Sequence, residues 1–343
     1  MIRSVSIRAL RQATPLLRVV PAAAAVSAFR GIHATPAAHS HYNDPASSAT
    51  PAPPPKTLMD INKLYRNNTP ITVLTAHDYI SSKIANAAGV DIILVGDSLS
   101  MVALGYTNTN EIELDDMIHH ARAVRRGSPQ AFIVADLPFG SYEVSTEQAL
   151  AAAFRMVKRA GVDAIKFEGG KENAGLVRHM SQRGIPVMGH IGLTPQRASS
   201  LGGFKVQGKT AATAELILED ALALQEAGCF SMVLEAVPAP VADLVTKQLR
   251  VPTIGIGAGP HTSGQVLVQL DMLGGFDGFT PKFLKKYSNY LDINTKACAA
   301  YVDEVRAGTF PEIGTHTYAI KDAELNKFKQ LVAEKFPADS TKA

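Results

Sequence analysis

From residue 71 onward the chain repeats one pattern: a short β-branched or aliphatic run, a polar or glycine-bearing corner, then a longer Ala-rich segment at helical period. The runs are Ile71 to Thr75, Asp91 to Gly96, Ala131 to Ala135, Ala164 to Phe167, Pro186 to Gly189, Ser231 to Leu234, Thr253 to Ile256 and, most weakly, Gly275 to Phe279. Continuous apolar runs are how strands buried on both faces read, and segments such as Thr146 to Ala160 or Ala212 to Ala227 are long enough for crossover helices. Eight such units favour a closed (β/α)8 TIM barrel over an open doubly wound sheet. Gly89, Gly161 and Gly228 each precede a run, where a helix C-cap belongs. One connection breaks the rhythm. Gly192 to Thr210 is Gly-rich and helix-poor, and it reads as a long loop on the side where barrels keep their active sites.

The barrel needs a beginning. Thr57, ahead of Leu58, Ile61 and Leu64, suits the N-cap of a short amphipathic helix before strand one. Residues 36–56 are rich in Ala and Pro and read as a disordered linker. Residues 1–43 hold Arg3, Arg8, Arg11, Arg18 and Arg30 and no acidic residue, so residues 1–35 are expected to be a mitochondrial transit peptide leading to the matrix. Without those five arginines the charge is 29 basic against 31 acidic side chains. Such a body has no reason to seek nucleic acid. No run of about 18 apolar residues offers a membrane span. Cys229 and Cys298 are too few for a disulfide framework. The barrel is expected over residues 57–310, with a partly helical C-terminal extension over 311–343.

In a barrel the residues at the carboxyl ends of the strands line the catalytic mouth. Here they are polar: Asp97 and Ser98 after the second run, Asp136 after the third, Lys166 and Glu168 on the fourth, His190 after the fifth and Glu235 after the sixth. Lys166 and Glu168 are two apart on a strand and share a face. Four carboxylates at one mouth repel one another unless a cation is present, and the all-oxygen set of Asp97, Asp136 and Glu168 suits Mg²⁺ better than zinc. Lys166 then meets a substrate carboxylate or a developing enolate oxygen, His190 is expected to be a substrate-binding residue beside it, and Glu235 is left as the proton-transfer group. Each residue has a plainer alternative: Asp97 as a helix cap, Glu168 as the salt-bridge partner of Lys166, His190 as a hydrogen-bonded core residue. Agreement at five successive strand ends favours the site. Gly255 to Gly259 lacks the Lys and Ser/Thr of a nucleotide-binding loop and reads as a tight turn.

The blocks Leu94-Val95-Gly96-Asp97-Ser98, Ala135-Asp136-Leu137-Pro138-Phe139, Lys166-Phe167-Glu168-Gly169-Gly170, Gly189-His190-Ile191-Gly192-Leu193-Thr194-Pro195-Gln196, Gly202 to Gly208 and Ile254 to Gly259 together resemble the ketopantoate hydroxymethyltransferase family, in order from about residue 58 to 290. The resemblance implies a barrel of the phosphoenolpyruvate mutase/isocitrate lyase type. It further implies a reaction in which 2-oxoisovalerate receives a one-carbon unit from 5,10-methylenetetrahydrofolate, giving ketopantoate. Carried over by motif, Asp97, Asp136 and Glu168 bind Mg²⁺, Asp97, Ser98, Asp136 and Lys166 contact the oxo acid, and Glu235 accepts the proton. Relatives of this kind form homo-oligomers. Another Mg²⁺-dependent 2-oxo-acid lyase or mutase on the same barrel is the alternative. Such enzymes typically carry a Cys in the loop after strand four, where this chain has Gly169-Gly170-Lys171-Glu172.

Overall fold

The computed structural model describes residues 54–336, so the expected leader, most of the expected linker and the last seven residues lie outside the described residues. Eight parallel strands, β1 (Ile71–Thr75), β2 (Ile92–Val95), β3 (Phe132–Asp136), β4 (Ala164–Glu168), β5 (Val187–Gly192), β6 (Ser231–Glu235), β7 (Thr253–Ile256) and β8 (Gly264–Leu267), pair in sequence order and close into a barrel. The seam is the β1–β8 pairing, with Ile71 opposite Gly264 and Leu74 opposite Leu267. The helices are α1 (Leu58–Arg66), α2 (Tyr79–Ala87), α3 (Leu99–Val102), α4 (Leu114–Gly127), α5 (Thr146–Arg155), α6 (Ala174–Ser181), α7 (Ala198–Leu201), α8 (Ala211–Ala227), α9 (Ala239–Gln248), α10 (Gln269–Leu273), α11 (Tyr290–Ala307) and α12 (Asp322–Lys335). As the sequence predicts, α8 ends at Gly228 in the left-handed conformation, and the π turn that prolongs α5 over Met156–Ala160 ends likewise at Gly161.

The eighth strand is not where the apolar run at Gly275 to Phe279 predicts it. That segment is irregular, Phe279 is 81% exposed, and the strand is the shorter Gly264–Leu267. Two features hide it. The β7–β8 connection carries no helix, so the βα rhythm skips a beat, and the strand opens with a glycine and an exposed Gln265 rather than an apolar run. Gly264 is there for space: a Cβ would stand 2.2 Å from the Ile71 carbonyl oxygen across the seam. The expected long loop Gly192 to Thr210 also holds more structure than its composition suggests, a 3-10 turn at Pro195–Arg197 followed by α7.

Strand alternation divides the apolar residues into two layers. Ile93, Val95, Ile133, Ile165, Val187 and Leu234 face outward and pack in the cluster that includes helix residues such as Met117, Val124 and Leu224. Ile71, Val73, Ile92, Leu94, Phe132, Val134, Met188, Val233, Ile254 and Val266 form the inner layer. Full burial of each large aliphatic side chain stabilises by about 1.5–3 kcal/mol. Thr57 enters α1 with extended backbone, and its N–H donates to the Asp60 carboxylate at 2.8 Å. This cap presents Ile61, buried in the inner layer, where Phe132 and Phe230 meet edge to face. The interior is therefore filled with hydrocarbon at the level where the strands begin. Polar chemistry is left to the level where they end.

Candidate active site

The same alternation that points Phe132 and Val134 inward points Asp136 inward, and it does the same for Lys166 and Glu168 on β4, His190 on β5 and Glu235 on β6. All five, with Asp97 and Ser98 from the corner after β2, line one cavity of about 100 Å³ at the carboxyl end of the barrel. Leu94, Val233, Ile256 and Val266 form its apolar side. The sequence places every one of these seven residues at the mouth, and the structure brings all seven together. A larger cleft of about 540 Å³ lies beside the β3 corner at Phe139 and Gly140, but it gathers no comparable set of titratable groups.

Within the cavity the charges are paired unevenly. Lys166 Nζ lies 3.1 Å from Asp136 Oδ2, with both side chains buried, so Asp136 and not Glu168 is its salt-bridge partner. Burial raises the Asp136 pKa, nearby Asp97 raises it further, and Lys166 only partly offsets this, leaving it at about 7. Glu168 is pushed well up by burial and by Asp97. Burial alone would lower Lys166, but Asp136, Asp97 and Glu168 hold its pKa above the ordinary lysine value. His190 is lowered by burial and by Lys166, so its ring is neutral. Because Nδ1 stands 3.1 Å from the Lys166 ammonium, which can only donate, the ring proton belongs on Nε2. That Nε2 is 3.1 Å from Glu235 Oε2, a close contact without the alignment of a hydrogen bond. Glu235 is followed by Ala236 at φ 48, a left-handed conformation costly for a residue with a Cβ. The strain marks the point where the chain turns off β6 immediately after its carboxylate.

The fit of a cation can be tested on the oxygens. Asp136 Oδ2 accepts from the Asp97 N–H at 3.0 Å, whereas its Oδ1 is buried without any hydrogen-bond donor. Asp97 Oδ2 accepts from Gln196 Nε2, and Glu168 Oε2 accepts from the Gln196 N–H. Each of the three carboxylates thus has one oxygen held by the protein and one left over. Oxygen-only donors of this kind suit a hard divalent ion. Among the described residues no three acidic, His or Cys side chains stand already placed to hold a metal ion. A cation here would take one oxygen per carboxylate and complete its shell with water and substrate oxygens, as Mg²⁺ usually does.

Two residues of the site escape the sequence reading. Gln196 and Tyr142 sit in loops, both buried, and the Tyr142 hydroxyl donates to Gln196 Oε1. Of the two, only Gln196 had a signal, its place in the irregular loop after β5. Ser98 lines the cavity and begins α3 without making a side-chain cap bond. Gly257 and Gly259 follow β7 at positive φ, and a Cβ on them would meet Phe283 and Ala239, so this run is a tight, close-packed turn. Cys229 is buried behind Gly189 with its thiol pushed up to about 12, which removes it as a nucleophile.

The family model described as ketopantoate hydroxymethyltransferase matches residues 55–313. The 3-methyl-2-oxobutanoate hydroxymethyltransferase of Emericella nidulans is 51% identical over 304 residues, covering 88% of this chain and 87% of its own. That of Moorella thermoacetica is 53% identical over 256 residues, covering 75% of this chain and 95% of its own. Among solved structures, phosphonopyruvate hydrolase in complex with oxalate and Mg²⁺ aligns with a TM-score of 0.50 at 13% identity, over 82% of this chain and 99% of that one. Phosphoenolpyruvate phosphomutase from Streptomyces platensis subsp. rosaceus aligns with a TM-score of 0.50 at 14% identity, over the same shares. Likeness at that identity is one of fold, and it assigns the barrel to the type found in these two enzymes. The family match runs from the approach to α1 to beyond α11, and half of the residues are shared with relatives across the barrel: the chain belongs to the ketopantoate hydroxymethyltransferase family.

Proposed function

We propose that the protein transfers a hydroxymethyl group from 5,10-methylenetetrahydrofolate to 2-oxoisovalerate (3-methyl-2-oxobutanoate), giving ketopantoate for pantothenate and coenzyme A synthesis. The observation that carries this reading, besides the family, is that Glu235 shares one small cavity with Lys166 and with three carboxylates that each keep a spare oxygen. Asp97, Asp136 and Glu168 are the residues that hold Mg²⁺, which when bound supplies Lewis-acid polarisation of the 2-oxo group and offsets the local negative charge.

The chain's own residues do the rest. Asp97, Ser98, Asp136 and Lys166 orient the oxo acid, with its branched end toward Leu94, Val233, Ile256 and Val266. Glu235 removes the C3 proton, and the neutral His190 ring stands 3.1 Å from it without taking its negative charge away. Lys166, already charged, faces the oxygen on which the enolate's charge develops. Water adds to the one-carbon bridge of the folate, and both of its C–N bonds break to release tetrahydrofolate and leave the carbon at the formaldehyde level. The enolate carbon adds to that carbonyl carbon, whose oxygen takes a proton to become the hydroxyl of the hydroxymethyl group. No covalent bond to the protein is required.

The test is exchange of the C3 hydrogen of 2-oxoisovalerate with solvent, with Mg²⁺ and without folate. The parent protein exchanges it, and Glu235→Gln slows exchange by about 10²–10⁴-fold, the usual contribution of a positioned base. Undiminished exchange in the variant removes Glu235 from this role, and no exchange in the parent removes enolisation. We assign the protein to the mitochondrial matrix, on the arginine-bearing, acid-free composition of residues 1–43, with residues 1–35 as the transit peptide. It acts as a homo-oligomer. In support, α11 has no buried residue, and helices in proteins draw most of their stability from packing one face against a neighbour.

A further inference from the structure

Gln196 spends its entire hydrogen-bonding capacity inside the site. It lies on the 3-10 turn after β5 and is 3% exposed. Its Nε2 donates to Asp97 Oδ2 at 2.8 Å and to the Leu137 carbonyl at 3.0 Å. Its Oε1 accepts from the Tyr142 hydroxyl, its main-chain N–H donates to Glu168 Oε2 at 3.0 Å, and its carbonyl accepts from Asn110 Nδ2 at 3.0 Å. The amide cannot be turned over, because the edge facing Asp97 and Leu137 meets two acceptors and only an NH₂ group satisfies both. Tyr142 fixes it from the other side, and its hydroxyl oxygen also accepts from the Glu168 N–H at 3.3 Å. One loop residue thus joins the ends of β2, β3 and β4 through Asp97, Leu137 and Glu168.

The consequence lies in which oxygens remain. A carboxylate free to rotate offers either oxygen, or both, and a cation must fix it at an entropic cost. Here Asp97 has one oxygen already committed to the Gln196 amide, while Glu168 has one committed to the Gln196 main-chain N–H, a bond that does not need this side chain. We propose that Gln196, its amide oriented by Tyr142, is a positioning residue that makes Asp97 a single-oxygen ligand and so sets divalent-cation affinity at the site. The proposal rests on the metal reading given above. Gln196 touches the carboxylates and not the reacting atoms, so its effect passes through the cation.

The experiment measures Mn²⁺ affinity of the full chain by the electron paramagnetic resonance signal of free Mn²⁺, alongside the Mg²⁺ activation constant and kcat. Gln196→Met keeps the length and removes the amide. It is expected to weaken Mn²⁺ binding by about 10–100-fold, the usual effect of losing a group that orients a metal ligand. The Mg²⁺ activation constant should rise in parallel, while kcat at saturating Mg²⁺ returns most of the way to the parent value. A merely structural role would lower kcat and active fraction without that separation. Tyr142→Phe, which deletes one oxygen, is expected to weaken Mn²⁺ binding by at least about threefold, and it decides the matter should Gln196→Met not fold. Folded Gln196→Met, or in its stead Tyr142→Phe, with Mn²⁺ affinity unchanged from the parent overturns this proposal alone. A parent that binds no Mn²⁺ overturns the metal reading and this proposal with it.

Discussion

Asp136 is a side chain whose surroundings suit its charge poorly. Burial and the neighbouring Asp97 raise its pKa from 3.8 to about 7 in the folded protein despite the Lys166 ammonium at 3.1 Å. For a carboxyl whose folded pKa lies above the unfolded one, the favourable contribution is complete below about 3.8 and is lost as pH rises to about 7. The loss is on the order of 4 kcal/mol at about 1.4 kcal/mol per pKa unit. In EDTA, the parent's stability should therefore fall across this window, and Asp136→Asn should flatten that slope whatever its effect on absolute stability. Added Mg²⁺ should flatten it too, by stabilising the charged form. Urea midpoints measured from pH 4 to 8 read all three. An identical slope in parent and variant means that burial does not govern this group. The seven residues expected at the mouth were legible because strand ends can be located by pattern and side chains alternate from there. Gln196 and Tyr142 were not, since the path of a loop through space is written in no period.

At the scale of elements, seven strands and the first helix follow from apolar runs and cap residues, and the eighth strand does not. Its sequence, Gly264-Gln265-Val266-Leu267, is fixed by the need to close a ring rather than by burial on both faces. Val266 faces the inner layer, Gln265 faces outward and is exposed, and Gly264 lets the seam approach. A β-branched residue would improve strand propensity at position 264 on composition alone. In place, its Cβ would meet the Ile71 carbonyl at 2.2 Å and the Ile254 side chain at 2.9 Å. Gly264→Val is therefore expected to cost about 3 kcal/mol of stability or more, at the upper end of what overpacking does. Denaturant unfolding of the variant checks it. A change within about 0.5 kcal/mol would show that the seam can give way.

Among the described residues, the barrel strands are covered by helices while α11 and α12 bury no residue. On α11, Leu291, Cys298, Val302 and Val305 fall at spacings of seven, four and three and share a stripe, and all four are exposed. With a second copy as the cover, Val302→Asp combined with Val305→Asp should lower the particle mass measured by light scattering. An unchanged mass would mean that this stripe is not where the copies meet. Within the barrel, the work is divided by height. The inner hydrocarbon layer, with Ile61 at its base, holds the cylinder together, while the charged tier above it contributes buried carboxylates that weaken it. Frame and fittings are thus separate sets of residues threaded on the same strands. The upper set can be exchanged one residue at a time while the lower set keeps the ring closed, so enzymes with 13% of residues in common can share a cylinder and still differ in what they make.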